Sequence, residues 1–303
     1  MRSRFALGGL LRALAIPFTL VAASCATQVD HPLRIASWNM EHLAEANGSG
    51  CRARSDHDYE QLAAFADAMD ADIVAFQEVE SASAAARVFS PERYEILIEE
   101  RMGSGDRLEC RGSPGQFLNR QATGFAVRHG LHFERNPDFT ALQLGDANLR
   151  SAVDITVEHR GRSVRMLSVH LKSGCASGTV NEACAQLLAQ VPVLEAWIDA
   201  RVTEGDSFLV VGDFNRRLAS DGDIVWRDWN DGEPVGASLL LAAGAARASC
   251  DPRYPLFIDH IVFSRGDRER ISRFQEMSFA GDQLSDHCPI VIEWAARIAS
   301  AIN

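Results

Sequence analysis

Residues 207–216 read SFLVVGDFNR, and this stretch joins a buried strand directly to polar side chains. The run from Phe208 to Val211 is apolar and uncharged, which is typical of a strand covered on both faces. Asp213 and Asn215 follow at once. In α/β folds, sites assemble beyond the carboxyl ends of strands. The stretch therefore predicts a layered α/β fold and the edge at which its site lies.

Five more apolar runs end in the same way. They lead into Asn39 and Glu41, Gln77 and Glu78, His170 and Lys172, Asp259 and His260, and Asp286 and His287. For any one of these sets, a helix cap, a turn residue or a solvated charge is the ordinary explanation. All of them together indicate a single polar site.

Short strands and a few helices alternate along the chain. Apolar runs predict strands at Leu33–Trp38, Asp72–Gln77, Tyr94–Ile98, Gly124–Arg128, Ser151–Glu158, Ser163–His170, Ser207–Gly212, Asp259–Phe263 and Cys288–Trp294. Helical spacing predicts helices at Asp58–Met69, capped by Ser55 or Asp56, at Cys184–Val202, interrupted or restarted near Pro192, and at Ser238–Ala243. Gly103–Gln121 is a long polar loop. Many strands with few helices favour two packed sheets with helices outside them.

The charge balance excludes binding of polyanions by bulk attraction. The 303 residues carry 30 basic and 41 acidic side chains, a formal net charge of −11, which repels nucleic acid at a distance. A phosphate-bearing substrate would therefore need local cations or a metal. Lys172 is the only lysine in the chain.

The first 26 residues predict export. Arg2 and Arg4 precede a short apolar stretch that ends in small residues, as in a secretory signal. Residues 22–25, AASC, resemble a bacterial lipobox and would make Cys25 a lipidated first residue; cleavage after Ala26 would release a free protein. We expect an outer-membrane lipoprotein or a periplasmic or secreted protein.

Six cysteines remain once Cys25 is set aside, and an even number in an exported protein suggests disulfides. Sequence neighbourhood predicts Cys175–Cys184 as a small loop, after which Cys51–Cys110 and Cys250–Cys288 follow. The alternative is a cysteine-rich metal site, but no CxxC spacing supports it.

The polar set suits hydrolysis of a phosphate ester. Glu41, Glu78 and Asp286 supply the anionic oxygens that magnesium, manganese or calcium prefers. His170 and His287 can transfer protons or hydrogen-bond a phosphoryl oxygen.

Six motifs in fixed order carry a resemblance. They are SWNMEHL (37–43), DIVAFQEVE (72–80), SVHLKSGC (168–175), VVGDFNR (210–216), FIDHIVF (257–263) and SDHCPI (285–290). Together they resemble the endonuclease/exonuclease/phosphatase superfamily, over residues 35–291. The resemblance implies one domain at 30–296, after a signal at 1–25, folded as a four-layer α/β/β/α sandwich of two mixed sheets flanked by helices.

The resemblance also implies roles for individual residues. Asn39, Glu41, Glu78 and Asp286 match the metal site of the superfamily, with Glu78 as the principal carboxylate ligand. His170 matches a histidine that hydrogen-bonds the scissile phosphate. Asp213 and Asn215 match the pair that orients the attacking water and the phosphoryl oxygen. His287 matches a histidine paired with a buried aspartate, here Asp259; whether this histidine or Asp213 is the general base stays open at this point.

Three weaker assignments follow. Arg150 and Lys172 are candidate phosphate-binding cations, each with a surface role or chance as the alternative. Gln121 resembles a position that can support the phosphate-side histidine. His260 should point away from the site, because it neighbours Asp259 on an extended segment. His31, His42, His57, His129, His132 and His159 belong to no motif, and we expect them on the surface or in loops.

The function expected is that of an exported, Mg²⁺-dependent phosphodiester hydrolase, an endo- or exonuclease, with Mn²⁺ or Ca²⁺ as substitutes. A lipid- or inositol-phosphate phosphoesterase and a non-catalytic scaffold are the alternatives. The expected partner is a phosphate-ester substrate, nucleic acid above all, with membrane attachment only through an N-terminal lipid. No protein partner is implied, and a monomer is expected.

Overall fold

A computed structural model describes residues 31–101, 108–281 and 283–296. The predicted signal and Cys25 lie outside the described residues. In the part of the chain that is described, none of the helices has the length and apolar character needed to cross a membrane.

Strands make up most of the regular structure. In chain order they are β1 (Leu33–Leu43), β2 (Ile73–Val79), β3 (Tyr94–Ile98), β4 (Ala122–Arg128), β5 (His132–Arg135), β6 (Val153–His159), β7 (Arg162–His170), β8 (Phe208–Asp213), β9 (Leu239–Leu241), β10 (Asp259–Ser264), β11 (Ile271–Glu276) and β12 (Ile290–Trp294). The helices are α1 (Asp56–Met69), α2 (Ala82–Ala86), α3 (Glu182–Glu204) and α4 (Ile224–Asp228), with 3-10 turns at Thr140–Gln143 and Arg265–Arg270.

The strands form two mixed sheets of six strands each. The first has the order β11-β12-β1-β2-β4-β3 and the second β5-β6-β7-β8-β10-β9. Each sheet contains one parallel pair at its centre, β1 with β2 and β7 with β8, and all other pairs are antiparallel. Because parallel strands end at the same edge, the polar residues that follow these four strands are brought side by side.

The hydrophobic core consists of three clusters of buried side chains. The central cluster joins the facing sides of both sheets, where Ile35 and Phe125 of the first meet Val157 and Val211 of the second. A second cluster packs α3 on the outer face of the second sheet. A third packs α1 and α2 on the outer face of the first. The result is the predicted helix–sheet–sheet–helix sandwich, because each sheet buries one face against its partner and the other against helices.

Helix α1 begins where its capping residues predict. Ser55 is the N-cap, and its side chain and that of Asp58 satisfy each other's backbone N–H groups, which is a capping box. The helix ends at Asp70, whose backbone is left-handed.

Two predicted elements differ in the structure. Helix α3 is continuous through Pro192, from the Asn181 N-cap to Gly205, although an interior proline costs about 3 kcal/mol. Its buried stripe, which includes Leu187, Val191 and Leu194, packs on the second sheet and offsets that cost. The predicted helix at Ser238–Ala243 is wrong: Leu239–Leu241 is the edge strand β9, paired with β10. A short all-leucine run has no periodicity that distinguishes the two conformations.

All three predicted disulfides are present. They join Cys51 to Cys110, Cys175 to Cys184 and Cys250 to Cys288, with Cα–Cα distances of 5.3, 4.8 and 5.8 Å. These distances lie within the usual range for a disulfide. The first ties the predicted long loop to the segment after β1, and the third ties the loop before β10 to the residue after His287.

Candidate functional site

Strand register places three site residues side by side. In the parallel pair of β7 and β8, His170 is the partner of Asp213; in the antiparallel pair of β8 and β10, Asp213 is the partner of Asp259. The three residues therefore stand in a row across the edge of the second sheet. The repeated ending of apolar runs in polar residues thus reflects one shared edge.

The first sheet supplies its polar residues through strained turns. Asn39 is the register partner of Gln77 where β1 and β2 run parallel, and the pairing then shifts before Leu43. Glu41, His42 and Glu78 adopt left-handed backbone, with φ of 44°, 56° and 61°. Such backbone is uncommon for residues with a Cβ and concentrates at functional sites. The turn after β2 carries Glu78 to within 3.8 Å of His170 in the second sheet, and the turn in β1 carries Glu41 to the backbone N–H of Asp286.

The carboxylate of Asp213 accepts hydrogen bonds from two neighbouring site residues. Its Oδ2 accepts hydrogen bonds from Nδ2 of Asn39, at 3.0 Å, and of Asn215, at 3.1 Å, and its Oδ1 accepts one from the Asn215 backbone, at 2.7 Å. Burial raises the pKa of Asp213 to about 7, and the neighbouring Asp259 carboxylate adds to that rise. A carboxylate held in this way can exchange a proton near neutral pH.

His287 and Asp259 form the predicted pair. The His287 Nδ1 lies 2.7 Å from Asp259 Oδ2, and the His287 Nε2 points toward Asp213 Oδ2, 4.0 Å away. Burial lowers the pKa of His287, but the carboxylates of Asp259 and Asp213 outweigh it and hold that pKa well above its ordinary value. Ser285 fixes the turn, since its Oγ donates to the Asn39 carbonyl and accepts from the His287 backbone N–H.

His170 is buried with no partner for its ring. It is 2% exposed, and in the described structure neither ring nitrogen is hydrogen-bonded. Its Nε2 lies 3.5 Å from Asp213 Oδ2 and 3.8 Å from Glu78 Oε1. Burial, with the positive charges of Arg150 and His287, holds the pKa of His170 well below its ordinary value. A buried polar group without a partner costs stability, so this ring is poised to hydrogen-bond something that enters the site.

The predicted metal ligands form a group of mutually repelling carboxylates. Burial and then the Asp286 charge raise the pKa of Glu41; burial and the Glu78 charge raise that of Asp286, although nearby His287 opposes the rise. Arg52 lies 3.5 Å from Glu41 and offsets part of this repulsion. A divalent cation would offset the remaining repulsion between these carboxylates. Their donor atoms are all oxygens, which suits a hard cation.

Spacing restricts how a cation could be held. We considered acidic, histidine and cysteine side chains of the described residues as metal ligands. One group of three has its ligand atoms within 4.8 Å of one another among these residues: Asp213, Asp259 and His287. The His287 Nδ1 atom of this group is already hydrogen-bonded to Asp259 and is therefore not free to bind a cation. The carboxylates of Glu41, Glu78 and Asp286 are more widely spaced. Mg²⁺ could bind one or two of these three carboxylates directly and reach the others through its waters, because it commonly uses one or two carboxylates and keeps several waters.

The three weaker candidates, Arg150, Gln121 and Lys172, have different surroundings in the structure. Arg150 is 7% exposed, and its Nη2 donates to Gln121 Oε1 at 2.8 Å; burial lowers its pKa while the charges of Glu78 and Asp213 oppose that fall. Gln121 contacts Arg150 and His42, whose Nδ1 is 3.2 Å from its Nε2, rather than His170. The Lys172 Nζ turns back to the Ser173 carbonyl.

Sequence reasoning missed His42. Its Nδ1 lies 3.3 Å from Glu78 Oε2, and its backbone N–H donates to the same oxygen. His42 thus connects Glu78 to Gln121 and, through it, to Arg150. Its place beside Glu41 in the first motif was the available signal.

Two other histidines lie in the core. His260 points away from the site as predicted, and its Nε2 is 2.9 Å from the Arg216 carbonyl. The expectation of a surface position is wrong for His159, which is 2% exposed and packs near Trp294. It ends β6, where the side chain faces the core.

Known proteins resemble this chain in sequence and in fold. The sequence matches the Endonuclease/Exonuclease/phosphatase family over residues 36–287. No curated protein matches the chain.

Solved structures match the fold at low sequence identity. A humanized D. rerio TDP2 with 14 mutations is 16% identical, with a TM-score of 0.59 over 87% of this chain and 99% of that one. The AP endonuclease LMAP from Leishmania major is 13% identical, with a TM-score of 0.59 over 93% of each chain. The 3'-5' exonuclease NExo from Neisseria meningitidis is 16% identical, with a TM-score of 0.55 over 86% of this chain and 99% of that one.

Proposed function

The chain belongs to the endonuclease/exonuclease/phosphatase family, and on that premise we propose that it is a Mg²⁺-dependent phosphodiesterase that cleaves nucleic acid. The family makes it a phosphoric-ester hydrolase. One observation supports the finer proposal: His170, Asp213, Asp259 and His287 meet the carboxylate group at one edge shared by both sheets. Structural neighbours described as an AP endonuclease and a 3'-5' exonuclease support nucleic acid as the substrate.

Asp213 is the general base in this proposal. Asn39 and Asn215 orient its carboxylate, and the His287 imidazole is already engaged by Asp259 through Nδ1. Asp213 can therefore take a proton from the attacking water as the water oxygen bonds to phosphorus and the bond from phosphorus to the leaving oxygen breaks. The leaving oxygen keeps the electron pair and takes a proton from solvent, while His287, held as an imidazolium, hydrogen-bonds a phosphoryl oxygen through Nε2. His170 offers its ring N–H to another phosphoryl oxygen, which would give one of its two unpartnered ring nitrogens a hydrogen bond.

A divalent cation would be held by Glu41, Glu78 and Asp286, with Asn39 beside them, and would offset charge on the phosphoryl oxygens. Arg150 adds a fixed positive charge behind the phosphate. This local compensation explains how a protein of net charge −11 can bind a phosphodiester.

We also propose export, either as a protein lipid-anchored at Cys25 or as a freely released one. Three disulfides in one chain support an oxidising compartment. A monomer acting on its substrate without a protein partner is the simplest assembly.

The test is hydrolysis by the purified protein of plasmid DNA, RNA, sphingomyelin and inositol phosphates with Mg²⁺ and with EDTA. We expect nucleic acid to be cleaved only with the metal. Glu78→Gln should abolish cleavage and weaken Mg²⁺ or Mn²⁺ binding measured by calorimetry, while Glu95→Gln, on the exposed face of β3, should change neither. Cleavage of sphingomyelin or inositol phosphates alone would assign the site to the alternative phosphoesterase class, and full activity in EDTA would contradict metal dependence.

A further inference from the structure

A cleft of about 490 Å³ opens beside the His287–Asp259 pair. It is formed by the loop before β10, by the turn that holds Asp286, and by Arg217, which follows β8. Its volume is within the roughly 300–1,000 Å³ of small-ligand pockets. The chemistry proposed above uses only one end of it.

The acidic groups of this cleft already have partners. Glu276 accepts hydrogen bonds from the backbone of Ser249, at 2.7 Å, and of Cys250, at 3.4 Å. Asp251 makes a two-pronged ion pair with Arg253. Asp259 is bound to His287. Among the described residues that line the cleft, Asp286, the proposed metal ligand, is the acid left to bind a cation.

Arg217 lines the same cleft, but its side chain has no partner in the part of the chain that the structure describes. Within residues 31–101, 108–281 and 283–296, no acceptor receives a hydrogen bond from its guanidinium and no carboxylate forms an ion pair with it; only its backbone is bonded, to Ala176 and Ser220. Arg217 is partly buried in the cleft wall, and a planar guanidinium can donate two parallel N–H hydrogen bonds to a phosphate.

The loop before β10 presents an aromatic ring to the same cleft. Tyr254 lines it and is 54% exposed, with the Arg253 guanidinium 5.5 Å from its ring centre. The Cys250–Cys288 disulfide joins this loop to the residue after His287, so the ring and the catalytic histidine are held on one framework. Exposed aromatic rings in such grooves stack bases.

We propose that this cleft binds the nucleotide next to the scissile phosphate, with the flanking phosphate on Arg217 and the base against Tyr254. The inference rests on the proposed function and deepens it, because it makes a polynucleotide, rather than a simple phosphodiester, the preferred substrate. It also adds a further local cation, Arg217, to those that offset the acidic composition at the scissile phosphate.

Binding of dAMP, measured by calorimetry in EDTA, tests the subsite without catalysis. We expect Arg217→Ala and Tyr254→Ala each to weaken binding about 10- to 100-fold, with partial recovery in Arg217→Lys and near-full recovery in Tyr254→Phe. Arg247→Ala is the matched control, since Arg247 is exposed and does not line the cleft. Deoxyadenosine and ribose 5-phosphate should each bind more weakly than dAMP. Equal dAMP affinity in Arg217→Ala and the parent, or no dAMP binding, would overturn the subsite.

Hydrolysis provides the second readout. With Mg²⁺, Arg217→Ala should raise KM for a single-stranded oligonucleotide about 10- to 100-fold with little change in kcat, and leave bis(4-nitrophenyl) phosphate, which has no flanking phosphate, unaffected. Equal losses on both substrates would place Arg217 at the scissile phosphate and refute the subsite. If dAMP binding follows the expected pattern but no nucleic acid is cleaved, the subsite stands and the proposed nuclease activity fails.

Discussion

At the scale of single residues, the site combines groups whose environments drive their protonation in opposite directions. Asp213 and His287 have raised pKa values, while His170 is held neutral. Burial acts on all three, but the neighbouring charges differ: carboxylates surround His287, whereas Arg150 and His287 face His170. One small volume can therefore hold an acceptor, a cationic donor and a neutral donor, which is what stepwise proton transfer needs.

Asp259→Asn tests the histidine pair. The amide keeps the size of the carboxylate but removes the negative charge that orients and charges His287, so we expect kcat to fall about 10²- to 10⁴-fold. KM should change little, since the interaction strengthens in the transition state. The measurement is turnover of bis(4-nitrophenyl) phosphate with Mg²⁺, with folding checked by a thermal melt. Asp221→Asn, in an exposed loop, is the control; turnover within threefold of the parent in Asp259→Asn would remove the pair from the mechanism.

At the scale of elements, the end of β1 depends on one buried arginine. Arg54 is 5% exposed, and its guanidinium donates to the carbonyl oxygens of Met40, Glu41, His42 and Leu284 at 2.9–3.4 Å. These carbonyls belong to the left-handed turn and to the segment before Asp286. Arg54 thus ties together two of the turns that supply proposed metal ligands, those of Glu41 and Asp286.

Replacing Arg54 with Met should loosen that turn. The four carbonyls would lose a shared charged donor, and we expect the free energy of unfolding to fall by roughly 3 kcal/mol together with weaker Mn²⁺ binding. Arg273→Met is a matched control, because Arg273 is 57% exposed in its side chain and pairs with Glu293 away from the site, and surface ion pairs contribute about 0–1 kcal/mol. Urea unfolding distinguishes the two. Equal stability losses in both variants would show that the carbonyl contacts do not organise the turn.

The disulfide that closes the longer loop should stabilise the fold more, although the contribution grows only with the logarithm of loop length. The Cys51–Cys110 bond spans 59 residues and Cys175–Cys184 spans 9. Constraint of the unfolded chain predicts about 4 kcal/mol for the long loop and about 2.5 kcal/mol for the short one. Guanidinium unfolding of the Cys51→Ala/Cys110→Ala and Cys175→Ala/Cys184→Ala double variants measures this order. A larger loss for the short loop would mean that native-state packing, rather than chain entropy, sets the contribution.

At the scale of the whole molecule, two sheets meet at one core and leave one polar edge. The central cluster contains side chains from both sheets, so neither sheet can shift without disturbing the other. That coupling makes the alignment of His170, Asp213 and Asp259 with Glu41 and Glu78 a property of the entire sandwich. A change far from the edge that loosens the core should reduce activity as well as stability.

A buried histidine makes global stability sensitive to acid. Burial lowers the pKa of His260 from 6.5 to about 4. Between these values the unfolded chain binds a proton that the folded protein does not, so stability falls as pH falls from 6.5 to 4, by at most roughly 3 kcal/mol. His260→Gln keeps a donor for the Arg216 carbonyl and should lose less stability over this range than the parent in urea unfolding. His57→Gln, at a side chain that is 75% exposed, should follow the parent, and a parallel acid loss in His260→Gln would assign the effect to other groups.

Much of the fold and most of the site could be predicted from sequence because they depend on local pattern. Buried runs that end abruptly in polar residues identified the strand ends and nearly all candidate residues, and cysteine neighbourhood identified the three disulfides. Where local pattern is ambiguous, prediction failed: Leu239–Leu241 and the continuous helix through Pro192 were decided by pairing with β10 and by packing on the second sheet.

The sequence by itself determined which residues end strands, since that depends on covalent neighbours and on the alternation of apolar and polar side chains. Only the tertiary structure decided which of these residues meet. Register aligned His170, Asp213 and Asp259, and left-handed turns at Glu41, His42 and Glu78 brought the first sheet to them. No local pattern predicts left-handed backbone at such residues, because surrounding contacts must hold it. For the same reason the contact of His42 with Glu78 and that of Arg54 with the Leu284 carbonyl, which join residues distant in sequence, emerged only from the fold.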